Sequence, residues 1–247
     1  MNRPDRVNRP DRPLVIAHRG ASGQLPENTL PAYALAIEQR ADMIEIDLHT
    51  TRDGAIVITH DESLAGLGGS GEIADATLEE VRALDAGAGE RVPTLVEALE
   101  AFGSRIPFNL ELKRGSRGEY PDMEDAALEE VRKRGLASQT LFSSFFDPIL
   151  QRLRSGSPDA RLALLISRRF PIKWLDRARR IGAEAVNPEL PLVNAELVSM
   201  AHGEGLAVFV FTVDERDTMR RLLDLGVDGL FTNHPDRMRA LLDSDAA

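Results

Sequence analysis

Cysteine is absent from this 247-residue chain. That absence excludes disulfides, zinc ribbons, thiol nucleophiles and iron–sulfur clusters together. Long hydrophobic runs are also missing: none approaches the ~18 residues that a membrane-spanning helix needs. Residues 1–13 lack the apolar stretch of a secretory signal. We therefore expect a cytoplasmic protein without stable membrane insertion.

Basic residues are outnumbered, with 30 Lys and Arg against 40 Asp and Glu and a net charge of -10. Such a surface repels nucleic-acid backbones and anionic lipids. We expect no nucleic-acid partner. A small anionic substrate remains open, because one pocket can be locally positive on an acidic protein.

The fold is indicated by short apolar runs that alternate with helical segments from Leu14 onward. This alternation is typical of βα units around a parallel sheet. The eight predicted strands are 14–17, 43–48, 108–112, 140–143, 161–166, 185–187, 207–212 and 229–232. The predicted helices are 30–39, 78–84 with 95–102, 123–134, 148–154, 172–181, 195–202, 215–225 and 235–242. Eight units in about 250 residues predict an α/β fold, the (β/α)8 TIM barrel.

Domain organisation follows from the same pattern. Residues 1–13 contain a duplicated Asn-Arg-Pro-Asp-Arg segment without apolar periodicity, which is typical of a disordered N-terminal tail. No linker rich in Gly, Pro or Ser divides the remainder, so we expect residues 14–247 to form a single barrel domain.

One apolar run, 56–59, falls outside the eight strands. Only the segment 52–54 separates it from the second strand, and its Asp-Gly dipeptide is typical of a hairpin. If Asp53 and Gly54 are the two loop residues, His60 lies opposite Asp47 on the same face of the sheet. We therefore expect a β-hairpin arm following the second strand that returns His60 to the carboxylates of that strand.

Carboxylates interrupt the apolar pattern at Glu45, Asp47 and Glu111, near the ends of the second and third predicted strands. Active sites of TIM barrels lie at the carboxyl ends of the strands. Three inward carboxylates repel one another and lose hydration unless a cation neutralises them. We expect one Mg²⁺ or Ca²⁺ ion, because oxygen ligands suit hard cations. The alternative is that a carboxylate points outward or only pairs with a nearby Arg or Lys.

Two histidines belong to the same group of strand ends, His18 after the first strand and His60 on the returning arm. Histidine suits both a general acid and a general base near neutral pH. Asp61 is a candidate for orienting His60. The other three histidines lack this setting and are interpreted as structural: His49, His202 and His234.

Arg19 and Lys113 add fixed positive charge beside the carboxylates. The planar fork of Arg suits phosphate oxygens, so an anionic substrate is favoured. Glu27 precedes the first helix and could face the site. Asn28 and Thr29 are adequately explained as capping residues of that helix.

Taken together, these residues resemble the glycerophosphodiester phosphodiesterase family. The segments that carry the resemblance are His18-Arg19-Gly20, Glu27-Asn28-Thr29, Glu45-Ile46-Asp47, Thr51-Arg52-Asp53-Gly54, His60-Asp61, Glu111-Leu112-Lys113, Gly226-Val227-Asp228-Gly229 and Thr232-Asn233-His234-Pro235. They appear in order and cover the chain from Leu14 to Leu242. As a set they are highly specific.

The resemblance implies metal-dependent hydrolysis of glycerophosphodiesters to sn-glycerol 3-phosphate and an alcohol. Phe211 stands where the family commonly has Trp, and it implies a flat apolar wall for the substrate. Attack through a cyclic phosphate and direct attack by water both remain open. The roles implied for the polar residues are acid/base catalysis by His18 and His60, metal ligation by Glu45, Asp47 and Glu111, and phosphate contacts from Arg19 and Lys113.

Three alternatives are weighed against this hypothesis. A phospholipase of the phosphoinositide-specific C or sphingomyelinase D type needs an exposed apolar rim, and nine Phe, two Tyr and one Trp leave little to build it. A Mg-dependent barrel lyase or isomerase would carry its ligands on well-separated later strands, whereas here they crowd into the first three. A non-catalytic anion-binding barrel would not need His18 and His60.

Overall fold

The computed structural model describes residues 10–169 and 172–245. Its strands are β1 Leu14–His18, β2 Met43–Thr50, β3 Ile56–Ile58, β4 Phe108–Leu112, β5 Thr140–Ser144, β6 Arg161–Ile166, β7 Ala185–Pro188, β8 Ala207–Val210 and β9 Gly229–Thr232. All of them except β3 pair in parallel, and β1 pairs with both β2 and β9. The sheet therefore closes into the predicted eight-stranded barrel.

Helices lie in the intervals between the barrel strands. They are α1 Leu30–Glu38, α2 Leu78–Arg82, α3 Leu95–Phe102, α4 Met123–Lys133, α5 Asp147–Gly156, α6 Trp174–Ile181, α7 Ala195–Gly203, α8 Arg216–Asp224 and α9 Pro235–Asp245. The predicted (β/α)8 TIM barrel is confirmed. Its helices begin where local caps allow: Thr77 and Thr94, for example, form capping boxes with Glu80 and Glu97.

Apolar side chains occupy two layers. One fills the space between the outer face of the sheet and the helices. The other fills the barrel interior with Ile16, Met43, Leu141, Ala163, Ala185, Ala207, Phe209 and Phe231. The barrel interior is therefore a packed core and not a channel.

The hairpin arm follows β2 as predicted, but its register differs by one residue. Leu48 pairs with Ile58 and Thr50 with Ile56, so Thr59 and not His60 falls opposite Asp47. The cause is a three-residue loop in which Gly54 has a φ of 84°. A residue in this left-handed conformation is typical of three-residue hairpin loops, which use an additional position compared with two-residue turns.

The start of the predicted tail, residues 1–9, lies outside the described residues. Within the described part, Arg12 donates two hydrogen bonds to the carboxylate of Asp42, at 3.0 and 2.5 Å. Asp42 also accepts from the backbone N–H of Val15 at 2.9 Å. No helix within 10–169 and 172–245 has the length and apolar character needed to cross a membrane.

Candidate active site

Strand register places the candidate site residues at one end of the barrel. His18, the last residue of β1, pairs with Glu45 on β2. Asp47, two residues further along β2, pairs with Glu111 on β4. Residues paired across parallel strands point to the same face, so these side chains converge inside the barrel mouth.

The three carboxylates form a buried cluster. Glu45, Asp47 and Glu111 each offer a carboxylate oxygen, and these oxygens lie within 4.8 Å of one another. The three residues are 2%, 0% and 8% exposed. Among the residues that the structure describes, Oε1 of Glu45 has no hydrogen-bond or ion-pair partner. The arrangement offers a hard cation an all-oxygen ligand set.

Two cations lie against this cluster. Nζ of Lys113 is 2.8 Å from Oδ1 of Asp47 and 2.6 Å from Oε1 of Glu111. Nε of Arg19 is 3.0 Å from Oδ2 of Asp47, and the backbone N–H of Arg19 donates to Oε2 of Glu45 at 3.1 Å. Of the three carboxylates, Asp47 is therefore the one that forms ion pairs with both Arg19 and Lys113.

The electrostatics differ among the three carboxylates. Burial and the neighbouring charges of Asp47 and Glu111 raise the pKa of Glu45 well above its ordinary value. Burial also raises the pKa of Glu111. Burial opposes ionisation of Asp47 as well, but Lys113 and Arg19 outweigh it and hold the pKa of Asp47 below its usual range. A bound cation would therefore favour the ionised form of these two groups.

His18 is held by a polar network at its Nδ1 atom. Nδ1 lies 2.8 Å from Oδ1 of Asn233. Asn233 donates from Nδ2 to Oδ2 of Asp214 at 2.8 Å, which fixes its amide orientation. Its Oδ1 must then accept, so Nδ1 of His18 carries the hydrogen and Nε2 remains an acceptor. Nε2 lies 3.9 Å from Oε2 of Glu45.

Burial, aided by the charge of Arg19, lowers the pKa of His18 to about 4. His60 has a different environment, because it follows β3 and its side chain is 41% exposed. Its Nδ1 lies 2.7 Å from Oδ1 of Asp61. The expected pairing of Asp61 with His60 is therefore present, and the two histidines stand in unlike surroundings.

A cavity of about 260 Å³ joins both histidines to the charged cluster. Its aromatic wall contains Phe211, which packs edge-on against Phe145 at 6.0 Å and Phe231 at 6.5 Å between ring centroids. The lining includes His18, Arg19, Glu45, His60, Glu111, Lys113 and Phe211. Despite the shifted hairpin register, His60 lines the same cavity as the carboxylates, because it directly follows Thr59, whose N–H is bonded to the Asp47 carbonyl.

A second groove, of about 450 Å³, shares His60, Glu111 and Lys113 with this cavity. Arg114 lines it, with its guanidinium carbon 4.2 Å from the ring centroid of Phe146. Within 10–169 and 172–245, no carboxylate lies at ion-pair distance from Arg114. A polar groove, which Asp61 and Glu62 also line, thus continues from the charged cluster.

Glu27 lies at the rim of the site. It accepts from the guanidinium of Arg19 at 2.9 Å, and its side chain is 50% exposed. Thr29 is the N-cap of α1, as expected. Asn28 has another role: it adopts a φ of 57° and donates from Nδ2 to Oδ2 of Asp47 at 2.9 Å. The residue type could have indicated this left-handed backbone conformation, because Asn tolerates a positive φ better than most residues.

Other polar partners were not anticipated from the sequence. Asn233 and Asp214 hold His18 although they lie on loops far along the chain. Of the three remaining histidines, His202 pairs with Asp228 at 2.8 Å, and the ring of His234 packs directly over Gly23. His49 is 1% exposed and contacts the backbone of His60.

Comparison with known proteins agrees with this geometry. Residues 18–237 match the model of the glycerophosphoryl diester phosphodiesterase family. A glycerophosphodiester phosphodiesterase from Caldanaerobacter subterraneus subsp. tengcongensis is 36% identical over 234 residues, covering 91% of this chain and 96% of that protein. One from Bacillus subtilis is 34% identical over 252 residues, covering 92% and 85% respectively.

Solved structures show the same likeness. A phosphodiesterase from Oleispira antarctica, in complex with the product sn-glycerol-3-phosphate, is 31% identical with a TM-score of 0.87, covering 94% of this chain and 97% of that chain. A putative glycerophosphoryl diester phosphodiesterase from Silicibacter pomeroyi is 29% identical, also with a TM-score of 0.87, covering 96% and 95%. The resemblance noted in the sequence is thereby confirmed, and the chain belongs to the glycerophosphoryl diester phosphodiesterase family.

Proposed function

We propose that this glycerophosphodiester phosphodiesterase cleaves its substrate at the cluster of Glu45, Asp47 and Glu111, with His18 and His60 as the acid/base pair. The products are sn-glycerol 3-phosphate and an alcohol. The observation that carries the proposal is one cavity that joins both histidines, the carboxylates and two fixed cations. The product complex of the Oleispira relative supports the same substrate class.

The three carboxylates fit a divalent cation. Oε1 of Glu45 is buried without a partner among the described residues, and the donor set is entirely oxygen, which suits Mg²⁺ or Ca²⁺. When bound, such an ion supplies charge that neutralises phosphoryl oxygens and stabilises the transition state. Asp47, ionised by its contacts with Lys113 and Arg19, would provide the most strongly anionic ligand.

Arg19 and Lys113 would bind the phosphate within the cavity that they line together with the carboxylates. Each is anchored by Asp47, so little side-chain entropy is lost when substrate arrives. Their fixed charges favour the extra negative charge that develops on the phosphoryl oxygens during displacement. Glu27 orients the Arg19 guanidinium, and Phe211 would offer a flat surface to the glycerol carbons.

The hydrogen-bond networks suggest how the two histidines divide the work. His18 donates from Nδ1 to Asn233, which leaves Nε2 as an acceptor for a hydroxyl proton. The carboxylate of Asp61 can only accept, so Nδ1 of His60 donates to it at 2.7 Å, which leaves the Nε2 atom of His60 for proton transfer to the departing alcohol. We assign His18 as the general base and His60 as the general acid that protonates the departing alcohol.

The alcohol would extend into the groove beside Arg114. This direction follows from His60, because the general acid must face the leaving oxygen and His60 lines both spaces. Groups that can bind there include an anionic or hydroxylated head group, which Arg114 can contact directly.

The first test is release of glycerol 3-phosphate from a panel of glycerophosphodiesters, with EDTA and with restored Mg²⁺ or Ca²⁺. We expect release only with metal present. Absence of release from every member, by a folded and metal-loaded protein, would overturn the function.

The histidine roles are tested with leaving groups of different basicity. His60→Ala should lose about 100-fold or more on glycerophosphocholine, but much less on a p-nitrophenyl ester, whose phenolate departs without protonation. His18→Ala is the matched control and should lose similar activity on both substrates. The opposite pattern would exchange the two roles.

A further inference from the structure

We infer that His49 and Tyr120 form a positioning pair that holds the backbone of His60 in register with the candidate metal ligands. The inference rests on the proposed role of His60, and it assigns a function to a histidine that the sequence suggested was only structural. Neither residue is proposed to touch substrate. Their effect would pass through the main chain of His60.

The backbone around His60 has little other support. β3 ends at Ile58, and Thr59 N donates to the Asp47 carbonyl at 3.1 Å. The next backbone–backbone bond along the chain joins Ile73 N to the Glu62 carbonyl at 2.9 Å. Between these two points, Nε2 of His49 lies 3.2 Å from the carbonyl oxygen of His60. Among the residues that the structure describes, this is the hydrogen bond that ties the His60 carbonyl to β2.

The tautomer of His49 follows from its partners. A carbonyl oxygen only accepts, so Nε2 of His49 carries the hydrogen and donates to His60. Nδ1 must then accept, and the Tyr120 hydroxyl donates to it at 2.6 Å. The Tyr120 ring also packs edge-on against the imidazole, with 5.6 Å between centroids. His49 and Tyr120 are 1% and 7% exposed, so both side chains are buried, although His49 also lines part of the groove beside Arg114.

The location of His49 makes this contact functional rather than only stabilising. Glu45, Asp47 and His49 lie on one face of β2 at alternate positions, all within the strand Met43–Thr50. The hydrogen bond from His49 thus holds the His60 backbone to the same strand that carries two of the three carboxylates. A displacement of about 1 Å in a reacting group can cost about 100-fold in rate, and the exposed His60 ring has few contacts that would prevent it.

The test compares His49→Leu, His49→Gln and Tyr120→Phe in the full chain, with glycerophosphocholine and saturating metal. We expect His49→Leu to lower kcat by about 10- to 100-fold with a smaller change in KM. His49→Gln keeps an N–H donor near the Nε2 position and should recover most of the rate. Tyr120→Phe removes only the hydroxyl and should lower kcat by a few-fold.

A double-mutant cycle separates positioning from general structural damage. If His49 acts through His60, His49→Leu should cost almost nothing in a His60→Ala background. An equal loss in both backgrounds would overturn the inference. If His49→Leu does not fold, as judged by thermal unfolding, the cycle of Tyr120→Phe with His60→Ala decides alone. Full activity of His60→Ala would instead overturn the proposed role of His60, which is a separate result.

Discussion

Nζ of Lys113 lies 2.8 Å from Oδ1 of Asp47, at the bottom of the candidate active site. This buried pair places a permanent positive charge where three carboxylates meet. Burial by itself lowers the pKa of Lys113, but the neighbouring carboxylates of Asp47 and Glu111 outweigh it and raise the pKa above its ordinary value. Lys113 therefore supplies positive charge to the cluster from the protein's own side chains, in contact with two of the three carboxylates.

Replacement of Lys113 by Met should make the fold depend on metal. The variant keeps the aliphatic stem but leaves Asp47 and Glu111 without their shared cation, which is costly for buried charges. We expect kcat/KM to fall by about 100-fold or more. We also expect added Mg²⁺ or Ca²⁺ to raise the unfolding temperature more than in the unsubstituted protein. Thermal unfolding with EDTA and with metal measures this, and an unchanged metal response would contradict it.

Replacement of Glu45 by Gln should have opposite effects on stability and on activity. Glu45 is buried beside Asp47 and Glu111, and its raised pKa reflects the cost of holding its charge there. The amide removes that repulsion at nearly constant shape, so unfolding in EDTA should require more urea than in the parent protein. Metal-dependent turnover should be largely lost. Asp47→Asn is the control: because Asp47 pairs with Lys113 and Arg19, it should be less stable in EDTA.

The sequence predicted the barrel well because its strands are short, buried on both faces and separated by periodic helices. Three predicted strands match the observed ones in full, for example Arg161–Ile166. The site residues at strand ends followed from this regularity. The hairpin register did not, because Asp-Gly permits both two-residue and three-residue loops, and only the pairing of Thr51 with Ala55 across the loop decides between them.

Hydrogen-bond partners that are distant along the chain were also not predicted from the sequence. Asn233 lies 215 residues from His18, and Tyr120 lies 71 residues from His49. No periodic pattern connects such pairs, since each partner stands on a loop whose path depends on the packing of the complete barrel. Asn28 was missed for a local reason, because a residue beside an N-cap suggests capping before it suggests contact with a carboxylate on the next strand.

Asp42, which lies outside the candidate active site, should make the stability of the fold depend on pH. Burial alone would raise its pKa, but hydrogen bonds from Arg12 and Val15 and the charge of Arg239 outweigh it and lower the pKa below its ordinary value. A lowered folded-state pKa stabilises the protein above the unfolded-state pKa, and the stabilisation is lost as pH falls through the folded-state value. Asp42→Asn should therefore cost about 1–3 kcal/mol at pH 7.

The deficit of Asp42→Asn should shrink below about pH 4, where the carboxyl of the unfolded parent protein protonates, and it should vanish as the pH falls through the lowered folded-state pKa. Urea unfolding of both proteins at pH 7 and at about pH 3 measures the difference. Arg12→Met is the matched control, because it removes one exposed partner and leaves the Val15 and Arg239 contacts. A deficit that is constant across this pH range would show that the carboxylate charge is not responsible.

Arg114 should determine which alcohols are released fastest. Its guanidinium is stacked on Phe146 in the groove beyond His60, so it is held in place and available to an anionic group on the substrate. Arg114→Gln should lower kcat/KM by about tenfold, the value of one charge-assisted hydrogen bond, for glycerophosphoserine, whose alcohol bears a carboxylate. Glycerophosphocholine, which has no such group, should change by less than about twofold. Arg117→Gln is the matched control, because Arg117 lies on the same loop but pairs with Asp75 at 2.5 Å. Equal losses on both substrates would mean that Arg114 supports the loop and does not select the head group.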